Sequence, residues 1–157
     1  MKTHEIVFSE IKQLLHKCFP NKIEEYEDGM YLSIAGSGIW ISSDDRELTV
    51  GNGLIHQHYD PDHDDIAKAV EHFFNLLTCR KKRTDYFKGE FSYKYKIELE
   101  LPDGTLENLG TAMTWIFPFW KRTDEKVTYE DRLISTDNIK HDLLDIKKLC
   151  TTDAKNA

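Results

Sequence analysis

The densest set of metal-binding side chains lies in one stretch, His56-Gln57-His58-Tyr59-Asp60-Pro61-Asp62-His63-Asp64-Asp65. Imidazole and carboxylate groups together suit a borderline divalent cation. If 54–58 is a strand, His56 and His58 point to the same side. His56, His58, Asp60 and His63 are therefore the metal candidates, and a metal-dependent enzyme built on the His56–Asp65 cluster is one function class. A competing account explains each residue locally, as a polar strand end, a proline turn and acids opposing the dipole at a helix start. That account is preferred, so no metal and no other cofactor is expected.

Two other stretches carry binding chemistry. Arg80-Lys81-Lys82-Arg83, followed by Tyr86, Phe87, Lys88, Lys94 and Lys96, mixes cations with aromatic rings. Such mixtures bind phosphate and stack bases, which makes nucleic-acid binding through Arg80–Arg83 a second alternative. Cations also suit a helix C-terminus, and a solvated helix end on an acidic chain is the preferred explanation of the run. The third stretch is Met113-Thr114-Trp115-Ile116-Phe117-Pro118-Phe119-Trp120. Alternation along a strand cannot put all these side chains on one buried face. Trp115, Phe117, Phe119 and Trp120 are the candidate binding residues, because exposed Trp and Phe anchor interfaces.

Nucleophile motifs are missing. Gly36-Ser37-Gly38 is an isolated turn and not a GxSxG elbow, and neither GxxxxGK[ST] nor GxGxxG occurs. Cys18, Cys79 and Cys150 are odd in number, widely spaced and without a CxxC, so they form no disulfide framework. Each falls near an expected helix end, where a small buried thiol is the ordinary reading.

Elements that would position these groups follow from periodicity. Val7, Ile11, Leu14, Leu15 and Cys18 predict a helix over 4–18, with Thr3 as cap and Pro20 as stop. Strands 30–34, 39–42 and 47–50 read as a three-strand meander closed by Gly51-Asn52-Gly53. Ile66, Val70, Phe73, Phe74 and Leu77 predict a second helix, with Arg80–Arg83 at its end. Phe91 to Leu101 alternates, Pro102-Asp103-Gly104 turns, and Leu106 to Trp120 returns as the partner strand. A last helix, capped by Asp137 or Asn138, carries Ile139, Leu143, Ile146 and Cys150. The expected core is Leu14, Leu15, Ile34, Ile41, Val70, Phe73, Phe74, Leu77, Ile97, Leu99 and Leu143.

The fold class is α+β, a two-layer domain of antiparallel sheet with helices in the order α-βββ-α-ββ-α. A single domain over 1–150 with a frayed tail at 151–157 is expected. This order, with the small size and acidic balance, resembles the type III secretion chaperone fold across the whole chain, as element order and without a family motif. Locally, His56, His58 and Asp60 resemble the HxHxDH signature of metallo-β-lactamase-type hydrolases; Pro61 stands where the final His belongs and His63 is displaced by two.

Charge narrows the function classes. With 28 acids against 21 bases the net charge is -7, which weighs against nonspecific binding to nucleic acid or anionic membrane. No apolar run approaches the ~20 residues of a membrane span, and the N-terminus has no signal-peptide h-region. The expected location is the cytoplasm. The favoured function is a noncatalytic protein-binding domain, immunity-, inhibitor- or chaperone-like, using an acidic surface and an aromatic strand. Its partner is an unidentified protein, with a basic surface the best complement, and a homodimer is the other way to cover an exposed face.

Overall fold

The computed structural model describes residues 1–152, with the side chain of residue 152 excluded. It is a mixed α+β chain with three helices and two antiparallel sheets, helix first. Chain contacts cluster in two compact units: among the described residues, 1–77 with 134–152, and Thr78–Leu133. Among the described residues no helix is long and apolar enough to cross a membrane.

The first unit begins with helix α1 (Thr3–Cys18). Its i, i+4, i+7, i+8 stripe is real: Val7, Ile11, Leu14 and Leu15 are all buried. Thr3 is not the cap but the first helical residue; Lys2 holds the N-cap position. There the Glu5 carboxylate accepts the Lys2 backbone N–H at 2.7 Å, satisfying one orphan donor. The helix ends before Pro20, as expected.

Five antiparallel strands follow in sequential order: β1 (Ile23–Tyr26), β2 (Tyr31–Ile34), β3 (Ile39–Ser43), β4 (Leu48–Asn52) and β5 (Ile55–Tyr59). The expected meander of three gains a strand at each edge. The β4 strand also runs through Gly51 and Asn52, which were expected to be a turn; the turn is Gly53-Leu54. Register sorts the two faces. Leu32, Ile41 and Val50 lie side by side on the buried face, and helix α1 packs on β3 and β4. Trp40, Gly51 and His56 line up on the other.

Helix α2 (Ile66–Thr78) buries Ile66, Ala69, Val70, Phe73, Phe74, Leu76 and Leu77. Asp65 Oδ1 accepts the Ala67 N–H at 2.9 Å, the local acid-cap role expected for it. Helix α3 (Thr136–Thr152) packs against α1. It starts ahead of the expected Asp137 or Asn138 cap, because Ser135 already accepts the Asn138 N–H. Ile139 and Ile146 are buried, whereas Leu143 is only half-buried. The helix includes Thr151 and Thr152, so two residues of the expected tail are helical; 153–157 lie outside the described residues.

The second unit is a four-stranded antiparallel sheet in the order β8-β7-β6-β9. Its strands are β6 (Arg80–Lys88), β7 (Phe91–Glu100), β8 (Leu106–Met113) and β9 (Thr123–Glu130). Three expectations change here. Arg80–Arg83 is not a helix end but the start of β6, because pairing with β7 and β9 on its two sides overrides the helical preference of Arg and Lys. The return strand stops at Met113, so Trp115, Phe117, Phe119 and Trp120 lie on a loop and not on a strand. The chain has to cross from one edge of the sheet to the other to form β9, and Pro118 cannot donate to a ladder. Strand β9 itself was not expected.

Candidate functional site

The aromatic stretch forms the loop 114–122, which joins the two edge strands β8 and β9. Its entry is fixed by the Thr114 N–H, which donates to the Tyr93 carbonyl at 2.8 Å. Phe117 stacks on Tyr93, with centroids 4.6 Å apart and planes at 26°. A compact turn around Pro118 follows, where Phe119 N–H donates to the Phe117 carbonyl and Lys121 N–H to the Pro118 carbonyl. The loop exit crosses the β6–β7 hairpin at Gly89, whose φ of 64° suits the two-residue turn. A Cβ there would lie 2.9 Å from the Lys121 side chain.

Phe117 is thus the anchor, and the other large side chains face water. Trp115 is 87% exposed, Ile116 86%, Phe119 74% and Trp120 73%. Phe119 and Trp120 touch edge to face at 5.3 Å. Each such side chain left in water forgoes roughly 1.5–3 kcal/mol of burial energy. The alternation puzzle in the sequence is resolved by neither cover nor alternation, since the backbone leaves the sheet.

The acidic surface expected to serve this segment is not built by the acids of β7 and β8, Glu98, Glu100, Asp103 and Glu107. Glu98 pairs with Lys96 at 2.8 Å and lies 3.9 Å from Lys82; Glu100 faces Arg80. Asp103 and Glu107 belong to the opposite end of the β7–β8 hairpin, where Glu100 pairs Leu106, whereas the loop leaves from the Lys94–Met113 end. Lys121 and Arg122 belong to the loop, and its end of the sheet carries both signs: Lys88 and Lys94 beside Glu90, Asp124 and Glu125, with Arg122 3.6 Å from Asp124. The second unit holds 11 Lys and Arg against 10 Asp and Glu, a balance of +1; the remaining 10 against 18 leave the first unit at −8.

The basic run offers no continuous phosphate surface. Strand alternation sends Arg80 and Lys82 to one face and Lys81 and Arg83 to the other. Arg83 is bidentate to Asp85 at 2.9–3.1 Å and sits 4.1 Å over the Tyr95 ring. Arg80 lies 4.1 Å over Tyr129. Lys81 is buried, and burial pushes its ammonium below its ordinary value.

The His/Asp stretch is divided between β5 and a loop. His56 and His58 share the solvent face of β5, with ring centroids 5.0 Å apart. His58 Nδ1 is 2.5 Å from Glu47 Oε1, and His56 Nδ1 is 3.1 Å from the Leu54 carbonyl. Asp60 accepts the Asp62 N–H at 2.9 Å, and the His63 N–H donates back to the Asp60 carbonyl. Among the described residues no three His, Cys, Asp or Glu side chains are grouped to hold a metal ion.

The three thiols are free. Burial is the leading cause raising each above its ordinary value, with Asp142 adding for Cys18 and Asp65 for Cys150. A raised thiol stays protonated and is a poor nucleophile. His16 and His72, near Cys18 and Cys79 in sequence, are engaged elsewhere: His16 Nε2 with Glu25 at 2.7 Å, and His72 Nδ1 with the Tyr59 hydroxyl at 2.8 Å.

One arrangement was missed from the sequence. His56 joins His58 to a line of rings across the solvent face of the first unit's sheet. Tyr26, Tyr31, Trp40 and His56 follow one another at centroid steps of 5.9, 5.2 and 5.7 Å. Trp40 lies flat across Gly51, where a Cβ would come within 2.2 Å of its ring, and its Nε1–H donates to the Gly53 carbonyl at 3.0 Å. The one sequence signal was a glycine inside a strand, which often marks close approach of another group. No family model, no curated protein and no solved structure matches the chain.

Proposed function

We propose that the chain is a noncatalytic protein-binding domain whose contact is the aromatic loop 114–122. The observation that carries this reading is the solvent exposure of Trp115, Ile116, Phe119 and Trp120 on a loop pinned at Tyr93 and Gly89. Trp and Phe bury large area with few torsions, and a pinned loop loses little entropy on docking. The complementary partner surface is an apolar pocket or groove. Three free cysteines suit a reducing compartment, in keeping with a cytoplasmic protein.

The test replaces Ile116 with a photo-crosslinking residue and compares the protein with a Trp115→Ala, Trp120→Ala double variant. A crosslinked protein that the folded double variant no longer captures supports the reading. A second copy of the chain as the crosslinked species, with a dimer in sedimentation equilibrium, makes the partner the protein itself. Sedimentation with anionic lipid vesicles through the same residues, with no protein crosslinked, overturns it. So does a folded double variant that captures everything the unaltered protein does.

A further inference from the structure

The two sheets treat their aromatic rings differently. In the second unit, Tyr129, Tyr95 and Tyr86 each lie under a cation, from Arg80, Arg83 and Lys94, at 4.1, 4.1 and 4.4 Å. In the first unit, Tyr26, Tyr31 and Trp40 form a continuous surface, and among the described residues no Arg or Lys lies over any of them. Composition explains the contrast. The 23 residues of β1 to β5 include Glu24 and Glu25 and no Lys or Arg.

Carboxylates border the rings. Glu24 lies 3.3 Å from both the Tyr26 hydroxyl and the Ser33 hydroxyl, which places it on the same face. Glu47 holds His58 at the far end of the line. Glu27 stands close enough to Tyr31 to help raise its hydroxyl above the ordinary value, after burial. Glu27 and Asp28 have φ of 53° and 54° in the turn joining β1 to β2, a conformation non-glycine residues adopt at a cost of about 1–3 kcal/mol. That turn is held to α1 by Lys12, which reaches the Gly29 carbonyl and Glu25.

We infer that the Tyr26–Tyr31–Trp40–His56 face of the five-stranded sheet is a docking surface for an extended cationic protein segment, whose Arg or Lys side chains stack on the rings and pair with Glu24 and Glu27. Guanidinium on an aromatic face beside a carboxylate is the arrangement the second unit makes internally with Arg83, Tyr95 and Asp85. A balance of −8 on the first unit steers such a segment toward it. The same charge opposes nucleic acid, which would otherwise stack on such a platform. The surface is separate from the aromatic loop and stands whether or not that loop binds a partner.

The probe is a synthetic decapeptide of alternating arginine and glycine, titrated into the full chain by calorimetry and by NMR. The Trp40 indole N–H resonance should shift while those of Trp115 and Trp120 stay in place, and binding should weaken as salt is raised. Tyr31→Ala should lower affinity about tenfold, within the range of a desolvated cation–π contact. Glu24→Gln should lower it about threefold, as expected of a partly exposed pair. The Trp115→Ala, Trp120→Ala variant should bind unchanged. If Tyr31→Ala does not fold, Tyr26→Ala at the exposed edge carries the same comparison. Shifts confined to Trp115 and Trp120, affinity indifferent to the tyrosine substitutions, or no binding at low salt would overturn the inference. A neutral glucose hexasaccharide or a single-stranded oligonucleotide that moves the Trp40 resonance where the peptide does not would overturn it as well.

Discussion

The five-stranded and four-stranded sheets are of similar extent yet built on opposite principles. Among the described residues, 21 of the buried apolar side chains belong to the first unit, whereas the second contributes Cys79, Ile97 and Leu99. The first sheet has one face of Leu, Ile and Val against α1 and one face of rings and hydroxyls. The second is held by backbone ladders, ion pairs such as Lys96–Glu98, and cations laid over tyrosines. All eight residues of β9 are exposed. Surface ion pairs contribute about 0–1 kcal/mol each, so the first unit holds the greater part of the folding energy. The second spends its side chains on presenting groups to solvent.

The largest expected effects test that division. Phe73→Ala or Phe74→Ala should lower unfolding free energy by about 3–5 kcal/mol in denaturant titration, since both rings are almost fully buried. Val127→Ala on β9 should stay within about 0.5 kcal/mol. Equal losses at both places would dissolve the contrast. Gly51→Ala comes next: the new Cβ must displace the Trp40 ring, at about 1–3 kcal/mol for an overpacked site. A neutral result would mean that the ring is free to lift.

Acid should act through the first unit. Burial holds the His72 imidazole below the ordinary value of 6.5. The unfolded chain therefore binds the proton more readily than the folded one, so stability is fully present above about pH 6.5 and falls as pH drops toward the folded value. In His72→Asn that slope should flatten, as read from denaturant midpoints across the acid range. Smallest of all, Trp115→Ala should leave the midpoint within about 0.5 kcal/mol of the unaltered protein, because the ring touches mainly water. A large loss would show that the loop is structural.

The legible parts of the sequence were those with a local period. The stripes of α1 and α2 and the alternation of Phe91 to Leu101 place those elements correctly, because burial on one side imprints itself on spacing. Strand β1, Ile23-Glu24-Glu25-Tyr26, and β9, Thr123 to Glu130, leave no such imprint: both are edges with exposed residues on both sides. Arg80–Arg83 reads as a helix end because Glu98 and Glu100, the partners of Lys82 and Arg80, are supplied by cross-strand pairing that no short window contains. The aromatic residues 115–120 read as strand on propensity, and the crossover that pulls them off the sheet is a property of topology. The ring line is the furthest from view. It needs Trp40 opposite Gly51 and Gly51 opposite His56, a register set by two successive hairpins.

The placement of the three tryptophans has an optical consequence. Trp115 and Trp120 sit in water, and their emission should be red-shifted and readily quenched by iodide. Trp40 is half-buried, stacked at 5.2 Å on Tyr31 and hydrogen-bonded through its indole nitrogen, so it should emit further to the blue, receive excitation from that tyrosine and resist an anionic quencher. The chain therefore carries two spectrally separable reporters, one on each candidate surface. A ligand that settles on the sheet should alter the blue component alone, and one that covers the loop should protect the red component from iodide, in the unlabelled protein and in a single cuvette.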